Sequence, residues 1–138
     1  MPHLFDTNCF LRLADKNSPQ RIIVLDAIRK LRSNNETLYY TPQILAEFWN
    51  VCTRPTSARG GFGLSVEQTE RKANLIDKCF LTLPDNPVTF NDWRKLVSDH
   101  KVKGLQVHDT KIVASMNVHN IQTLVTFNEK KISEDLQR

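Results

Sequence analysis

A chain of 138 residues, 40% hydrophobic and 25% charged, is long enough to close one hydrophobic core and too apolar to stay disordered. Its net charge of +4 is a mild basic excess that suits a polyanionic partner without requiring one. No apolar run approaches the ~18 residues of a membrane span. The opening Met1-Pro2-His3-Leu4-Phe5-Asp6 lacks the basic-then-apolar order of a signal peptide, so a cytoplasmic protein outside the membrane is expected.

The first element is a short apolar strand, His3-Leu4-Phe5, ending at Asp6. Ser18-Pro19 predicts a helix start, serine as N-cap and proline at the first helical position, with Ile22, Val24, Leu25, Ile28 and Leu31 near helical spacing. Ser33-Asn34-Asn35 ends it. Thr37-Leu38-Tyr39-Tyr40 is β-branched and aromatic and predicts a second strand. Thr41-Pro42 repeats the cap signal and opens a helix carrying Ile44, Leu45, Phe48 and Val51, which Arg54-Pro55 stops. A loop with Gly60, Gly61 and Gly63 follows, and the capping box Ser65-Val66-Glu67-Gln68 starts a helix to about Cys79. Leu81-Thr82-Leu83 reads as a strand closed by Pro84. Thr89 and Asp92 frame another helix start, with Trp93, Leu96 and Val97 on its apolar side. A helix from about Asp109 to Asn117 and a strand over Gln122-Thr123-Leu124-Val125-Thr126 complete the chain. Short apolar strands alternating with helices predict an α/β fold, a parallel sheet with helices on both faces, in a single domain over residues 1–138.

Cys9, Cys52 and Cys79 are odd in number, form no Cys-x-x-Cys motif and lie among apolar residues, as three reduced core thiols would. His3, His100 and His119 lack zinc-ligand spacing, and no phosphate-binding glycine motif is present. His108 beside a helix start reads as a capping or packing residue before a phosphate contact. The Gly60–Gly63 loop with Arg54 and Arg59 reads first as a helix connector and second as an RNA-backbone contact. Tyr39, Tyr40, Trp49 and Trp93 read as core or dimer residues.

In parallel sheets, ligands bind beyond the carboxyl ends of the strands. Asp6 closes the first strand, Glu47 lies in the second turn of the helix after the second, Asp109 opens a helix near the chain's end, and Asn128 follows the last strand by two residues. All four can gather at one sheet edge. Each also has a structural reading: Asp6 as a cap of the next turn, Asp109 as a first-turn acid on the helix dipole, Glu47 as a partner of Arg54 or a solvated side chain, Asn128 as a turn residue. Asp109, however, shares a helix face with Ile112, Val113 and Met116, and Glu47 borders Ile44 and Val51. Burying an unpaired carboxylate is costly, so both acids need a partner, and one divalent cation serves several at once.

The segments around these acids carry a family resemblance. Phe5-Asp6-Thr7-Asn8 resembles the opening Asp-Thr-Asn of PIN domains, and Thr41-Pro42-Gln43-Ile44-Leu45-Ala46-Glu47 resembles their glutamate-bearing second motif. Val107-His108-Asp109-Thr110-Lys111-Ile112-Val113-Ala114 is similar to the run that carries the third acid, and Asn120-Ile121 through Thr126-Phe127-Asn128 to the closing segment. The resemblance covers nearly the whole chain in the right order. It implies a three-layer α/β/α sandwich and metal-dependent endoribonuclease activity on RNA phosphodiesters. It also implies the toxin role of VapC-type members, which are held by an antitoxin protein and are commonly homodimers. It implies, further, that Asp6 and Asp109 hold Mg2+ or Mn2+ directly. Glu47 binds the metal through water or deprotonates the attacking water, and Asn128 hydrogen-bonds a water or the phosphate. The chain departs from the family where a fourth aspartate is usual: Asn128-Glu129-Lys130-Lys131 stands there. That departure supports a rival, a degenerate PIN domain that binds RNA or a partner protein without cutting. A second rival, a phosphatase with Asp6 as nucleophile, wants an aspartate two residues on, where this chain has Asn8.

Overall fold

The computed structural model describes residues 1–127. In chain order the elements are β1 (Pro2–Phe5), α1 (Thr7–Ala14), α2 (Arg21–Ser33), β2 (Thr37–Tyr40), α3 (Pro42–Thr53), α4 (Val66–Asp77), β3 (Leu81–Thr82), α5 (Pro87–Asp99), α6 (Gln106–Val118) and β4 (Thr123–Val125). The four strands are all parallel in the order β3-β2-β1-β4. His3 pairs with Leu38 on one side and Thr123 on the other, so β1 is central and carries the most buried residues of the sheet, Leu4 and Phe5. The chain steps from β1 to β2 to β3 in one direction and then returns across the sheet to β4. Because such crossovers are right-handed, the reversal puts the α5–α6 connection on the opposite face from α1–α4. Contacts agree: α1 packs on α2 and α3, α3 on α4, and α5 on α6. The result is the expected α/β/α sandwich, with the topological switch between β1 and β4. Among the described residues, no helix is long and apolar enough to cross a membrane.

Four caps behave as their chemistry requires. Thr41 accepts from the Ile44 amide, and Ser65 and Gln68 form a reciprocal capping box. Asn86 accepts from the Thr89 amide, with Pro87 in the first turn, so α5 starts before the expected Thr89. At α1 the Asp6 carboxylate accepts from the Thr7 amide. Helix α1 itself is not foreseen from the sequence, because eight residues are too few to display a period and only three of them, Thr7, Cys9 and Phe10, are buried. Three other expectations shift. The helix expected at Ser18-Pro19 begins at Arg21, with Ser18 spent on a turn, and Ile22 lies exposed rather than on the buried face of Val24 and Ile28. The helix expected at Asp109 begins at Gln106, preceded by Leu105, which offers no side-chain cap to read.

One aromatic cluster holds the α1–α4 half together. The Phe10 ring lies 4.9 Å from Phe80, 6.1 Å from Tyr40 and 6.3 Å from Phe48 between centroids, all edge-on. The Tyr40 hydroxyl donates to Asp77 at the end of α4. The glycine loop folds back as a cap on α3: the amides of Phe62 and Leu64 donate to the Val51 and Cys52 carbonyls, and Gly63 to Arg54. A Cβ on Gly61 would collide with the Pro55 carbonyl oxygen, so glycine is required there by close backbone approach. Arg54 donates to the Arg59 carbonyl, so the loop reads as the connector.

Removing the ring at the centre of that cluster, Phe10→Ala, is expected to cost about 3–5 kcal/mol in urea unfolding; a loss under about 1 kcal/mol, the surface range, would contradict the packing described. The thiols separate in the same way. Burial first and the Asp6 charge next push Cys9 up to about 12, and burial pushes Cys52 up to about 11. Cys79 is only half-buried, a correction to the expectation of three core thiols, and its sulfur accepts from Arg32. A disulfide reagent at neutral pH should therefore modify Cys79 alone in the native protein and the other two only on unfolding.

Candidate active site

The switch point brings Asp6 and Thr126 side by side. The Asp6 amide donates to the Val125 carbonyl at 3.0 Å, continuing the β1–β4 ladder by one rung. Beyond that rung, the Asp6 carboxylate is 9% exposed and held on both oxygens. Oδ1 accepts from the Thr7 amide at 2.7 Å, and Oδ2 accepts from the Thr126 hydroxyl at 3.0 Å. Asn8 stitches the same corner: its amide nitrogen donates to Thr126 Oγ1 at 3.1 Å, and its Oδ1 accepts from the Phe127 amide at 3.2 Å. Asp6 is thus both the cap of α1 and a polar group at the sheet edge. Asn8 and Thr126 were not singled out from the sequence as site residues. Their signal was position alone: two residues past Asp6, and the first residue beyond β4.

Glu47 and Asp109 arrive from opposite faces. Glu47 projects from α3, where Gln43, one turn earlier, donates to its Oε1 at 3.1 Å and to the His108 carbonyl at 3.0 Å. Gln43 therefore ties α3 to the first turn of α6, the turn that holds Asp109. It was also missed, although its i,i+4 spacing to Glu47 is a readable sign. The Glu47 residue is exposed as a whole, yet its carboxyl is held above the ordinary glutamate range. Burial is the largest cause, and the charges of Asp6 and Asp109 act in the same direction, against the Gln43 hydrogen bond and His108. That coupling places the three acids in one electrostatic neighbourhood. Lys111, two residues beyond Asp109, pairs with Asp85 at 3.5 Å instead of turning into the site. His108 lies exposed, and its backbone oxygen makes the link to Gln43. Asn128, with Glu129, Lys130 and Lys131, lies outside the described residues.

Among the described residues, no group of three or more acidic, histidine or cysteine side chains stands close enough to enclose a metal ion. The donor set still suits a hard divalent cation in kind. It is all oxygen, it contributes like charges from three elements, and magnesium is ordinarily bound by one or two carboxylates with water supplying the rest. Such a set would leave the remaining positions of a bound cation to water and substrate.

The sequence pattern of the PIN domain matches residues 4–134. Two solved structures are similar over almost the whole chain. One is VapBC2 from Rickettsia felis bound to a DNA fragment from its promoter, with TM-score 0.70 and 19% identity, over 98% of this chain and 93% of that one. The other is VapC20 of Mycobacterium tuberculosis, a sarcin-ricin-loop-cleaving toxin, with TM-score 0.64 and 12% identity, over 97% and 95%. No curated protein matches the chain significantly in sequence.

The raised Glu47 carboxyl carries a stability signature. An acid whose folded pKa is raised destabilises the fold as pH climbs past its unfolded value, about 4.3, and the penalty is full above the folded value. In chelator, Glu47→Gln should therefore melt with the wild type below that pH and above it at neutral pH. A variant that is less stable at neutral pH would contradict the crowding of these acids.

Proposed function

The chain belongs to the PIN domain family, and from that premise we propose that it is a metal-dependent endoribonuclease, the toxin of a toxin–antitoxin pair. The observation that carries the reading is the link made by Gln43, which donates to Glu47 and to the His108 carbonyl and so joins the helix of Glu47 to the turn of Asp109; the Glu47 carboxyl, raised first by burial, is raised further by Asp6 and Asp109. Asp6 and Asp109 hold a Mg2+ or Mn2+ ion, with Glu47 reaching it through water. When bound, the ion neutralises the phosphate and the developing charge on the leaving oxygen. The protein's own part is positioning and proton transfer. Thr7, Thr126 and Asn8 fix Asp6 from three directions, so its lone pairs are aimed before substrate arrives. Glu47, made more basic by its surroundings, takes the proton of the attacking water as the new oxygen–phosphorus bond forms and the ester bond breaks. Asn128 hydrogen-bonds a water or a phosphate oxygen at the same edge.

The partner side of the reading rests on likeness and on one surface feature. The Rickettsia felis neighbour is a VapBC assembly, which favours an antitoxin partner for this chain. An apolar cleft of about 250 Å³ opens between α1, α2 and α4, lined by Leu13, Leu25, Ile28 and Leu75 over Phe10 and Phe80, and it suits the apolar side chains of such a partner. A homodimer and a cytoplasmic setting complete the proposal. Asn128 in place of the usual fourth acid favours one alternative, a domain that binds RNA without cutting it.

One experiment separates the two. Mixed small RNAs should be cut by the purified protein with magnesium or manganese and not with chelator. Asp6→Asn and Asp109→Asn should each lower the rate by more than about 100-fold, beyond the range typical of residues one step removed from a metal. The metal should also raise the melting temperature of the wild type and not of these variants. RNA binding without cleavage in either metal would select the alternative.

A further inference from the structure

The α5–α6 hairpin is a two-helix arm whose tip, residues 100–105, stands directly before the turn that bears Asp109. Leu105 precedes Asp109 by four residues, about 6 Å along the helix axis. The tip is stiff. The Lys101 amide donates to the Ser98 carbonyl and the Val102 amide to the Val97 carbonyl, which together close α5 in a Schellman motif. Val102, half-buried, anchors it, and Gly104 with φ +63° turns the chain into α6.

Two features of this turn call for a use. The left-handed position of the motif, which glycine fills without steric cost, is occupied by Lys101 at φ +51°. Lys101 and Lys103 are also exposed, and among the described residues neither makes an ion pair; the nearest acid in sequence, Asp99, is exposed as well. A pair of acids as close to the strand edge as Asp6 and Asp109 repels an approaching polyanion. Lys101 and Lys103, eight and six residues before Asp109 on the turn that leads into its helix, place cations on the approach to the acids and offset that repulsion. Leu105, 77% exposed, adds an apolar surface between the lysines and the acid.

We propose that the tip of this arm is the RNA-backbone contact of the site, Lys101 and Lys103 each binding a phosphate of the strand beside the scissile bond. The inference rests on the ribonuclease reading and names where its substrate is gripped. A structural role makes the opposite prediction for Lys101, because Lys101→Gly relieves the left-handed backbone and should leave the melting temperature unchanged or raise it.

The test measures anisotropy of a short labelled single-stranded RNA of mixed sequence, in chelator and on an Asp109→Asn background so that no cleavage intervenes. Lys101→Gly/Lys103→Ala should weaken binding by about tenfold at moderate salt, and should flatten the log–log salt dependence by about 1.4, or 0.7 for each single-strand phosphate no longer neutralised. Lys101→Arg/Lys103→Arg should restore both. The pair Lys30→Ala/Lys78→Ala, at the opposite sheet edge where α2 and α4 end, is the control and should change neither. A tip variant that binds with the wild-type affinity and slope, or one no different from the control, overturns the proposal. If the wild type with metal still cuts RNA in that case, only the grip is misplaced; if it neither binds nor cuts, the ribonuclease reading falls with it.

Discussion

Pairing of β1 with β4 is the interaction on which the rest depends. The chain completes three strands in one direction and must then return across the whole sheet to lay Thr123–Val125 beside His3–Phe5. That return pairs residues from opposite ends of the described chain, His3 with Thr123 and Phe5 with Val125, and creates the switch point. A single backbone hydrogen bond past the ladder, from Asp6 to the Val125 carbonyl, carries the pairing into the loop region. The side-chain bonds among Asp6, Asn8 and Thr126 then exist only because that rung is made. The Cys9 thiol shares the Val125 carbonyl, so the same oxygen also locks the first turn of α1 to β4.

The two halves of the molecule meet the site differently. Around α1–α4, interlocking aromatic rings fix Asp6 and the frame of α3 by packing, which is short-ranged and unforgiving of displacement. The arm of α5 and α6 packs closely on itself, sends Ile112 and Met116 into the core, and is further joined to its surroundings by polar links. Gln43 reaches the His108 carbonyl, His119 lies against the Pro84 carbonyl, and Lys111 pairs with Asp85. Within the arm, the Trp93 indole donates to the Val107 carbonyl, beside the turn of Asp109. Asp109 is therefore positioned by directional contacts and by the packing of Ile112 one turn on, while Asp6 sits at the end of the central strand.

Electrostatics and stability pull against each other at this edge. An amide and a hydroxyl stabilise Asp6 without cancelling its charge, and the Glu47 carboxyl, raised first by burial, is raised further by that charge and by Asp109. Across the sheet, the N-terminal amine and His3 lie against Glu36, and the amine holds that carboxylate below its ordinary range. The two ends of the same strand thus differ: at the amino edge the amine lowers the Glu36 carboxyl, and at the carboxyl edge Asp6 and Asp109 add to the burial that raises Glu47.

The local rules were legible in the sequence. Thr41, Ser65 and Gln68 cap helices because a side-chain oxygen can satisfy an amide within its own turn, and Thr37–Tyr40 forms a strand because branched and aromatic residues suit a pleated surface. Element order alone permitted Asp6, Glu47 and Asp109 to gather at the strand edge without requiring it. The sequence could not show α1, too short to have a period, nor the start of α6, where Leu105 offers no cap. Nor could it show why Lys111 turns away to Asp85. Asn8, Gln43 and Thr126 stayed hidden for the same reason: their partners lie 118, 65 and 120 residues away, at distances set by the closed sheet. The order of the acids was determined by the sequence, since each depends on its neighbours within a turn. Their meeting, and the groups that hold them, were decided by tertiary structure, because only the return of β4 to β1 brings the two ends of the chain into hydrogen-bonding range.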